Sequence, residues 1–303
     1  MAPRVSIGLP VRNGEKYIGR AIDSLLAQDY ADFEVVICDN ASDDTTPDIV
    51  RGYAARDPRI KFHDNGRDIG QIANMNRVFE LASGEYFRWT GVDDWFEPDC
   101  ISKSVEYLDL EPGVIAVSAY IKYFDDDGNE SYAEYTGERM ESPKPHRRFS
   151  RMLWFLQTDY RYCDPHYAMY RRSALQQTRL LPVAFATDQI LAAELSLLGP
   201  FGHIPECLSY RRRVPAAYGD NEARPVLYHP DRPEELRPSF SRVCSNFNAR
   251  VSAAPLTGFQ KAVCRSAIAR YFLRTELTEL ELAARGVARR VPGYRRAKAV
   301  LGR

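Results

Sequence analysis

The 303-residue chain contains no run of about 18 uninterrupted apolar residues, the length a bilayer-spanning helix requires, so no spanning helix is expected. It carries no net charge, with 41 Lys and Arg against 41 Asp and Glu, and so no global field that would draw it to nucleic acid. The six cysteines (Cys38, Cys100, Cys163, Cys207, Cys244, Cys264) include no CxxC pair. That excludes the common metal-ligand spacing and the density of a disulfide scaffold, and leaves reduced, partly buried thiols as the expectation. No signal-peptide core precedes the strand-like RVSIGLPV, so a cytoplasmic protein is expected.

What is present suits a soluble globular protein. With 45% hydrophobic and 27% charged residues the chain can build a sizeable core, in one large domain or two intimate ones. Charge is unevenly spread: the middle is acidic, while 285–303 holds Arg285, Arg289, Arg290, Arg295, Arg296, Lys298 and Arg303 and no acid.

Apolar runs and helical spacing alternate from the start. VSIGLPV (5–11) reads as a buried strand. Asn13 can cap a helix that places Ile18, Ala21, Ile22, Leu25 and Leu26 on one face. FEVVICDN (33–40), RIKFHDN (59–65) and GEYFRWTGV (84–92) follow as strands, separated by helices at about 47–55 and 69–82. This alternation predicts a parallel α/β sheet wound through right-handed crossovers. Further on, a helix is expected at about 99–110, strands at 113–124, 166–172 and 206–213, and a helix at 187–199 with a glycine stop. Residues 125–150 and 214–255 read as long loops. Thr257 with Gln260 fits a capping box, opening a helix that carries Phe259, Val263, Ala267, Tyr271 and Phe272. Three parts are expected, over 1–100, 101–213 and 214–303, the last a loop with a helical extension.

Ligands bind open parallel sheets beyond the carboxyl ends of the strands. Those ends read Pro10-Val11-Arg12-Asn13-Gly14, Asp39-Asn40, Asp64-Asn65-Gly66-Arg67 and Asp93-Asp94. A rim so rich in acid repels a bare phosphate unless a cation intervenes. Mg²⁺ typically takes one or two protein carboxylates and completes its shell with phosphate oxygens and water, which suits the adjacent Asp93 and Asp94. The plain alternative is a solvated turn whose acids cap the helix near Pro98. Asp39 sits where a dinucleotide-binding fold holds a ribose, but that fold needs G-x-G-x-x-G in its first turn, where this chain has Pro10 to Gly14.

Two stretches, VSIGLPVRNGEKYIGRAIDSLLAQDYADFEVVICDNASDDTT and NRVFELASGEYFRWTGVDDWFEPD, closely resemble the family 2 glycosyltransferases of the GT-A fold. The likeness is strong over about 4–110, weaker over 111–213 and absent from 214–303. It implies a Rossmann-like, mostly parallel sheet flanked by helices, here with a helical C-terminal extension. It also implies a metal-dependent, inverting, non-processive enzyme using a nucleotide-sugar donor, a UDP-sugar, with Mn²⁺ or Mg²⁺. By the same likeness Pro10, Val11, Arg12, Asp39 and Arg67 hold the base, Asp93 the ribose and Asp94 the metal. Members with a longer acidic motif have an Asp where this chain has Gly91, which leaves the division between Asp93 and Asp94 open. Asn76 matches a family asparagine, while Val78 replaces the following glycine.

Inverting transfer needs a carboxylate to take the acceptor's proton, a contribution of ~10²–10⁴-fold. The family places it at the start of a late helix, and ATDQILAAELSLLG makes Asp188 the candidate. The competing reading is a first-turn acid that complements the helix dipole. Asp159 and Asp164 are weaker candidates. The Q-x-x-R-W motif of processive members is missing. Arg211, Arg212 and Arg213 stand where many members have a histidine near the metal, and diphosphate contact and a solvated strand end remain equal readings. His166 reads as a strand histidine rather than a ligand. The acceptor, whether small molecule, glycan or lipid-linked, is unreadable; Tyr132, Tyr135, Trp154, Tyr160 and Tyr218 suit all three. The last helix can pack on its own domain or in a homodimer, and the basic tail can lie at an anionic inner-membrane face. A non-catalytic sugar-nucleotide-binding protein is the alternative from another class.

Overall fold

A computed structural model describes residues 2–125, 127–132, 134, 139–157, 165–212, 229 and 231–290, with backbone alone for 279–290. The first half is a run of strand–helix units: β1 (Val5–Val11), α1 (Ile18–Leu26), β2 (Phe33–Asp39), α2 (Thr46–Ala54), β3 (Ile60–Asp64), α3 (Gln71–Leu81) and β4 (Tyr86–Trp89). These strands lie parallel in the order β3-β2-β1-β4, and Val11, Asp39 and Asp64 end in register.

The second half extends the same sheet. Its elements are β5 (Trp95–Phe96), α4 (Cys100–Leu110), β6 (Ala116–Phe124), β7 (Glu130–Ser131), α5 (Pro145–Leu156), β8 (Met169–Arg171), α6 (Arg172–Leu175), α7 (Thr187–Leu198), β9 (Phe201–Arg212), α8 (Phe240–Ala253) and α9 (Gly258–Arg290). The order continues β4-β8-β6-β9-β5, with β7 beside β6. The long ladders are parallel, and the antiparallel ones, at β8, β5 and β7, span two residue pairs each. No described helix is long and apolar enough to cross a membrane.

Burial follows the two-residue period of a strand covered on both faces. Val35 and Ile37 of β2 face one core with Ile18, Ile22 and Leu25 of α1. Val36 and Cys38 face the other, with Phe87 and Trp89 of β4 and Val78 and Phe79 of α3. A third cluster joins Phe149 and Leu153 of α5, Ile190 of α7, Phe247 of α8 and Tyr271 of α9. Arg148 closes α7 from α5, donating to the carbonyls of Ser196 at 2.9 Å and Leu197 at 3.3 Å, as cations do at helix C-termini. Glu194 meets Arg250 at 3.2 Å, both nearly buried, tying α7 to α8.

The structure corrects several sequence expectations. Part of the 125–150 loop is α5, whose Pro145 falls in the first turn where a missing N–H costs nothing. Part of the 214–255 loop is α8, capped by Ser239, which accepts from Arg242 N. The 166–172 strand is shorter: Pro165–Tyr167 form a 3-10 turn before β8. Asn13 does not cap α1; it holds φ 53° and accepts from Asp43 N at 3.0 Å. Phe259 is 73% exposed rather than on the packed face of α9. The Thr257–Gln260 capping box forms as expected, with reciprocal bonds of 2.9 and 3.2 Å. The five described cysteines are free thiols, four of them buried.

Candidate active site

The strand ends of β1 to β4 form one rim. Asp39 is buried there, and its carboxylate accepts from Ser42 N at 2.9 Å and Ser42 Oγ at 2.6 Å. Ser42 Oγ in turn accepts from Asn13 N at 2.8 Å, which locks the β1 turn against the β2 turn. Pro10 is half-buried beside Cys38 on the neighbouring strand, and Val11 is buried with its carbonyl accepting from Asn40 N.

Arg12 is held by Asp68, a residue the sequence reading did not single out. Asp68 accepts from Arg12 Nη1 at 2.6 Å, Asn40 Nδ2 at 2.6 Å and Gly70 N at 2.8 Å, joining three strand ends through one carboxylate. The available signal was its place two residues before Gly70, which adopts φ 84°. Arg67, on the same turn, is exposed and makes no hydrogen bond or ion pair among the described residues.

Asp93 and Asp94 occupy the turn that leaves β4. Asp94 folds back so that Oδ2 accepts from Gly91 N at 2.9 Å, and it is almost wholly buried. A Cβ on Gly91 would lie 2.9 Å from that oxygen and 3.2 Å from Asp93 Oδ1, so this arrangement requires glycine where a longer motif has aspartate. Burial is the main cause that pushes the Asp94 carboxyl above the ordinary range. Arg211, the Gly91 N–H and Arg88 pull the other way, and Asp93 adds to the rise.

The acids do not stand alone. β5 runs antiparallel to the end of β9, pairing Trp95 with Tyr210 and Phe96 with Ser209. The same register carried one and two residues further sets Arg211 opposite Asp94 and Arg212 opposite Asp93. Arg211 Nε lies 3.6 Å from Asp94 Oδ1, and Arg212 Nη1 lies 3.5 Å from Asp93 Oδ2. Arg211 also stacks at 3.5 Å over the Tyr167 ring, and Arg212 sits 4.7 Å over Tyr17. Stacking of Trp95 on Tyr210 (5.4 Å) and of Arg20 on Trp95 (3.2 Å) secures this corner. Arg213 lies outside the described residues.

Asp188 occupies the first turn of α7 and is exposed. It makes no hydrogen bond or ion pair among the described residues, so none joins it to Asp93 or Asp94. The physical link is the 165–167 turn, which packs on both β4 and α7 and supplies the Tyr167 ring under Arg211. His166 of that turn stacks on Trp89 at 5.6 Å. Asn76 of α3 grips the segment ahead of α7: it donates to Leu181 O at 2.9 Å and accepts from Leu181 N at 3.1 Å. Leu180 and Ala186 flank that segment with left-handed φ of 57° and 56°. Asp159, Asp164, Tyr135, Tyr160 and Tyr218 lie outside the described residues.

The described residues contain no group of three or more His, Cys, Asp and Glu able to hold a metal by themselves. Asp93 and Asp94 are two oxygen donors on one turn, so the donor set fits a hard cation that arrives with phosphate oxygens rather than one caged by protein alone.

Residues 6–179 match a family model described as glycosyl transferase family 2. The putative glycosyltransferase EpsH of Bacillus subtilis is 30% identical over 145 residues, 48% of this chain and 41% of that protein. Chondroitin synthase of Escherichia coli is 28% identical over 227 residues, 72% of this chain but 30% of its own length. The chain therefore spans under half the length of these two relatives. Among solved structures, S. aureus TarS 1–349 aligns with a TM-score of 0.64 at 19% identity, over 88% of this chain and 71% of that one. The mannosyltransferase PcManGT of Pyrobaculum calidifontis, in complex with GDP-Man and Mn²⁺, aligns with a TM-score of 0.54 at 20% identity, over 99% and 84%. At these identities the structures establish the likeness of fold.

Proposed function

The chain belongs to glycosyl transferase family 2, and from that premise we propose that it transfers a sugar from a nucleoside diphosphate donor, a UDP-sugar, to an acceptor hydroxyl or amine with inversion and with a divalent cation. The observation that carries the proposal is the charge arrangement at the β4 exit: paired acids and paired arginines, in register, on the rim that also holds the buried Asp39. Such an arrangement has a use for a dianionic group and its counter-ion, and little use as a solvated turn.

In this reading Asp39 and the Pro10–Arg12 turn accept the base, with Arg67 free to close over it and Asp93 placed for the ribose. Asp94 and Asp93 would hold the cation, which supplies Lewis-acid stabilisation of the departing diphosphate. The forks of Arg211 and Arg212, beside these acids, would suit bidentate contact with diphosphate oxygens. Asp188 takes the proton from the acceptor nucleophile at its carboxylate oxygen. Solved structures of related fold contain UDP, UDP-GlcNAc and GDP-Man, which keeps both uracil and guanine in the donor screen.

A thermal-shift screen of nucleoside diphosphates and sugar nucleotides with and without Mn²⁺ tests the donor, since a ligand at 100 times its Kd stabilises by about 2.7 kcal/mol. Asp188→Asn separates enzyme from silent binder. Transfer is expected to vanish while UDP binding persists; loss of binding in that variant would make Asp188 structural.

A further inference from the structure

We infer that Tyr271 is a positioning residue for Asp188: from α9 its phenol fastens the first turn of α7 and so sets where the acid of that turn stands. The inference rests on the reading of Asp188 as the base.

Asp188 does not place itself. It is exposed and makes no hydrogen bond or ion pair among the described residues, so the backbone of its turn decides where it stands. That turn starts poorly. Ala186, at the N-cap, holds φ 56° and ψ 43°, a left-handed conformation rare for a residue with a Cβ. No side chain caps the helix there, although a capping oxygen is the usual way to steady a helix start. Such a start persists where the surroundings hold it.

The residues on either side of Asp188 are the ones held. Thr187 Oγ1 donates to Pro182 O at 2.6 Å, folding the turn onto the segment just before it. Tyr271 OH donates to Gln189 Oε1 at 2.6 Å. The first bond is local, and the second ties the turn to another helix. Asp188 is thus the exposed residue between two tethered neighbours.

Tyr271 is itself a fixed post. It is 2% exposed, and its ring meets Phe247 of α8 edge-on at 5.3 Å. Gln157, at the end of α5, donates from Nε2 to the Tyr271 carbonyl at 2.5 Å and to Thr275 Oγ1 at 2.8 Å. The cluster around the ring, with Phe149, Leu153, Ile190 and Phe247, is apolar, so packing does not call for a hydroxyl. A buried phenol needs a partner for its O–H, and Gln189 supplies it. Burial first, then the nearby Cys244 and Asp188, hold the phenol above its ordinary range, so it keeps its proton and remains a donor. The charge of Asp188 is therefore felt at the hydroxyl that steadies its turn.

Release of nucleoside diphosphate from UDP-GlcNAc and GDP-Man with Mn²⁺, water taking the acceptor's place, tests this on the full chain. Tyr271→Phe is expected to lower kcat ~10-fold or more, since misplacing a reacting group by about 1 Å can cost ~100-fold. KM and the Kd of UDP are expected to stay at wild-type values, the mark of an interaction used in the transition state. Gln189→Leu cuts the same bond from the other side and is expected to match it, with the double variant losing no more than either alone. A bond that merely tied α9 to the body would lower the melting temperature and leave kcat unchanged. Full kcat in Tyr271→Phe, or losses that multiply in the double variant, would overturn the inference. Asp188→Asn separates the two ideas: wild-type turnover there fails the base reading, whereas a dead Asp188→Asn beside a fully active Tyr271→Phe fails the positioning role alone. Amide exchange reads the tether without turnover. Tyr271→Phe is expected to speed Ile190, whose N–H bonds to Ala186 O, and to spare Gly199 at the far end of α7; unchanged exchange at Ile190 would also overturn it.

Discussion

Replacing Asp94 with Asn is expected to stabilise the free protein while removing the proposed cation-dependent nucleotide binding. The side chain loses its attraction to Arg211 at 3.6 Å, about 4–5 kcal/mol for unit charges at an effective dielectric of ~20. It keeps an acceptor for the Gly91 N–H, though a neutral one. Against these losses, Asn escapes the several kcal/mol that burying a carboxylate costs, and the repulsion from Asp93. The upward displacement of the Asp94 carboxyl, caused first by burial and incompletely opposed by Arg211, the Gly91 N–H and Arg88, says which side wins. A carboxyl raised in the folded state weakens the fold as it ionises. The penalty is absent below its unfolded value, about pH 4, and is complete once pH has risen through the folded one. Wild type and variant should therefore melt together near pH 4, and the variant should melt higher near pH 8, by about 2–4 °C for each kcal/mol. Calorimetric titration of UDP with Mn²⁺ should fall by more than the ~10–100-fold typical of losing an outer-shell metal partner. A variant that melts below wild type near pH 8, or that binds unchanged with Mn²⁺, would refute this reasoning.

Three further outcomes follow from the same geometry. Gly91→Ala should weaken Mn²⁺-dependent UDP binding by at least ~5-fold by calorimetry, because its Cβ would meet the Asp94 carboxylate at 2.9 Å and overpacking typically costs ~1–3 kcal/mol. Asn76→Ala should speed amide exchange over 178–186 and lower kcat more than UDP affinity, because both of its bonds to Leu181 are lost. His203, whose imidazole burial holds down to about 4, stays neutral in the fold while the unfolded side chain protonates from about 6.5. Its contribution is full above about pH 6.5 and is lost as pH falls towards 4, by at most roughly 3 kcal/mol. His203→Gln should flatten that part of the pH–stability curve.

The gathering of the first four strand ends on one rim was legible because its information is local. Each of the first four strands ends within a few residues of its polar cluster, and short βα units leave little freedom in where those ends lie. Helices α5 and α8 were hidden by composition: prolines and arginines at 143–148 and 232–242 mask the apolar spacing of Phe149, Met152 and Leu153 and of Val243, Cys244 and Phe247. The pairing of Arg211 and Arg212 with the acids depends on the register of β5 against β9, more than a hundred residues apart, and no local pattern encodes it. Asp68 was missed for the same reason, since Arg12 and Asn40 reach it from other strands. Gly91, a departure from a longer motif in sequence, becomes intelligible once Asp94 is seen folded over its N–H.

The most direct test is a crystal structure with UDP and Mn²⁺, read by anomalous scattering. The account predicts a manganese peak within coordination distance of a carboxylate oxygen of Asp93 or Asp94. It further predicts the uracil beside Asp39 and the guanidinium of Arg211 or Arg212 turned onto the diphosphate. A nucleotide seated elsewhere, or a β4 exit still closed by its arginines at saturating ligand, would contradict it.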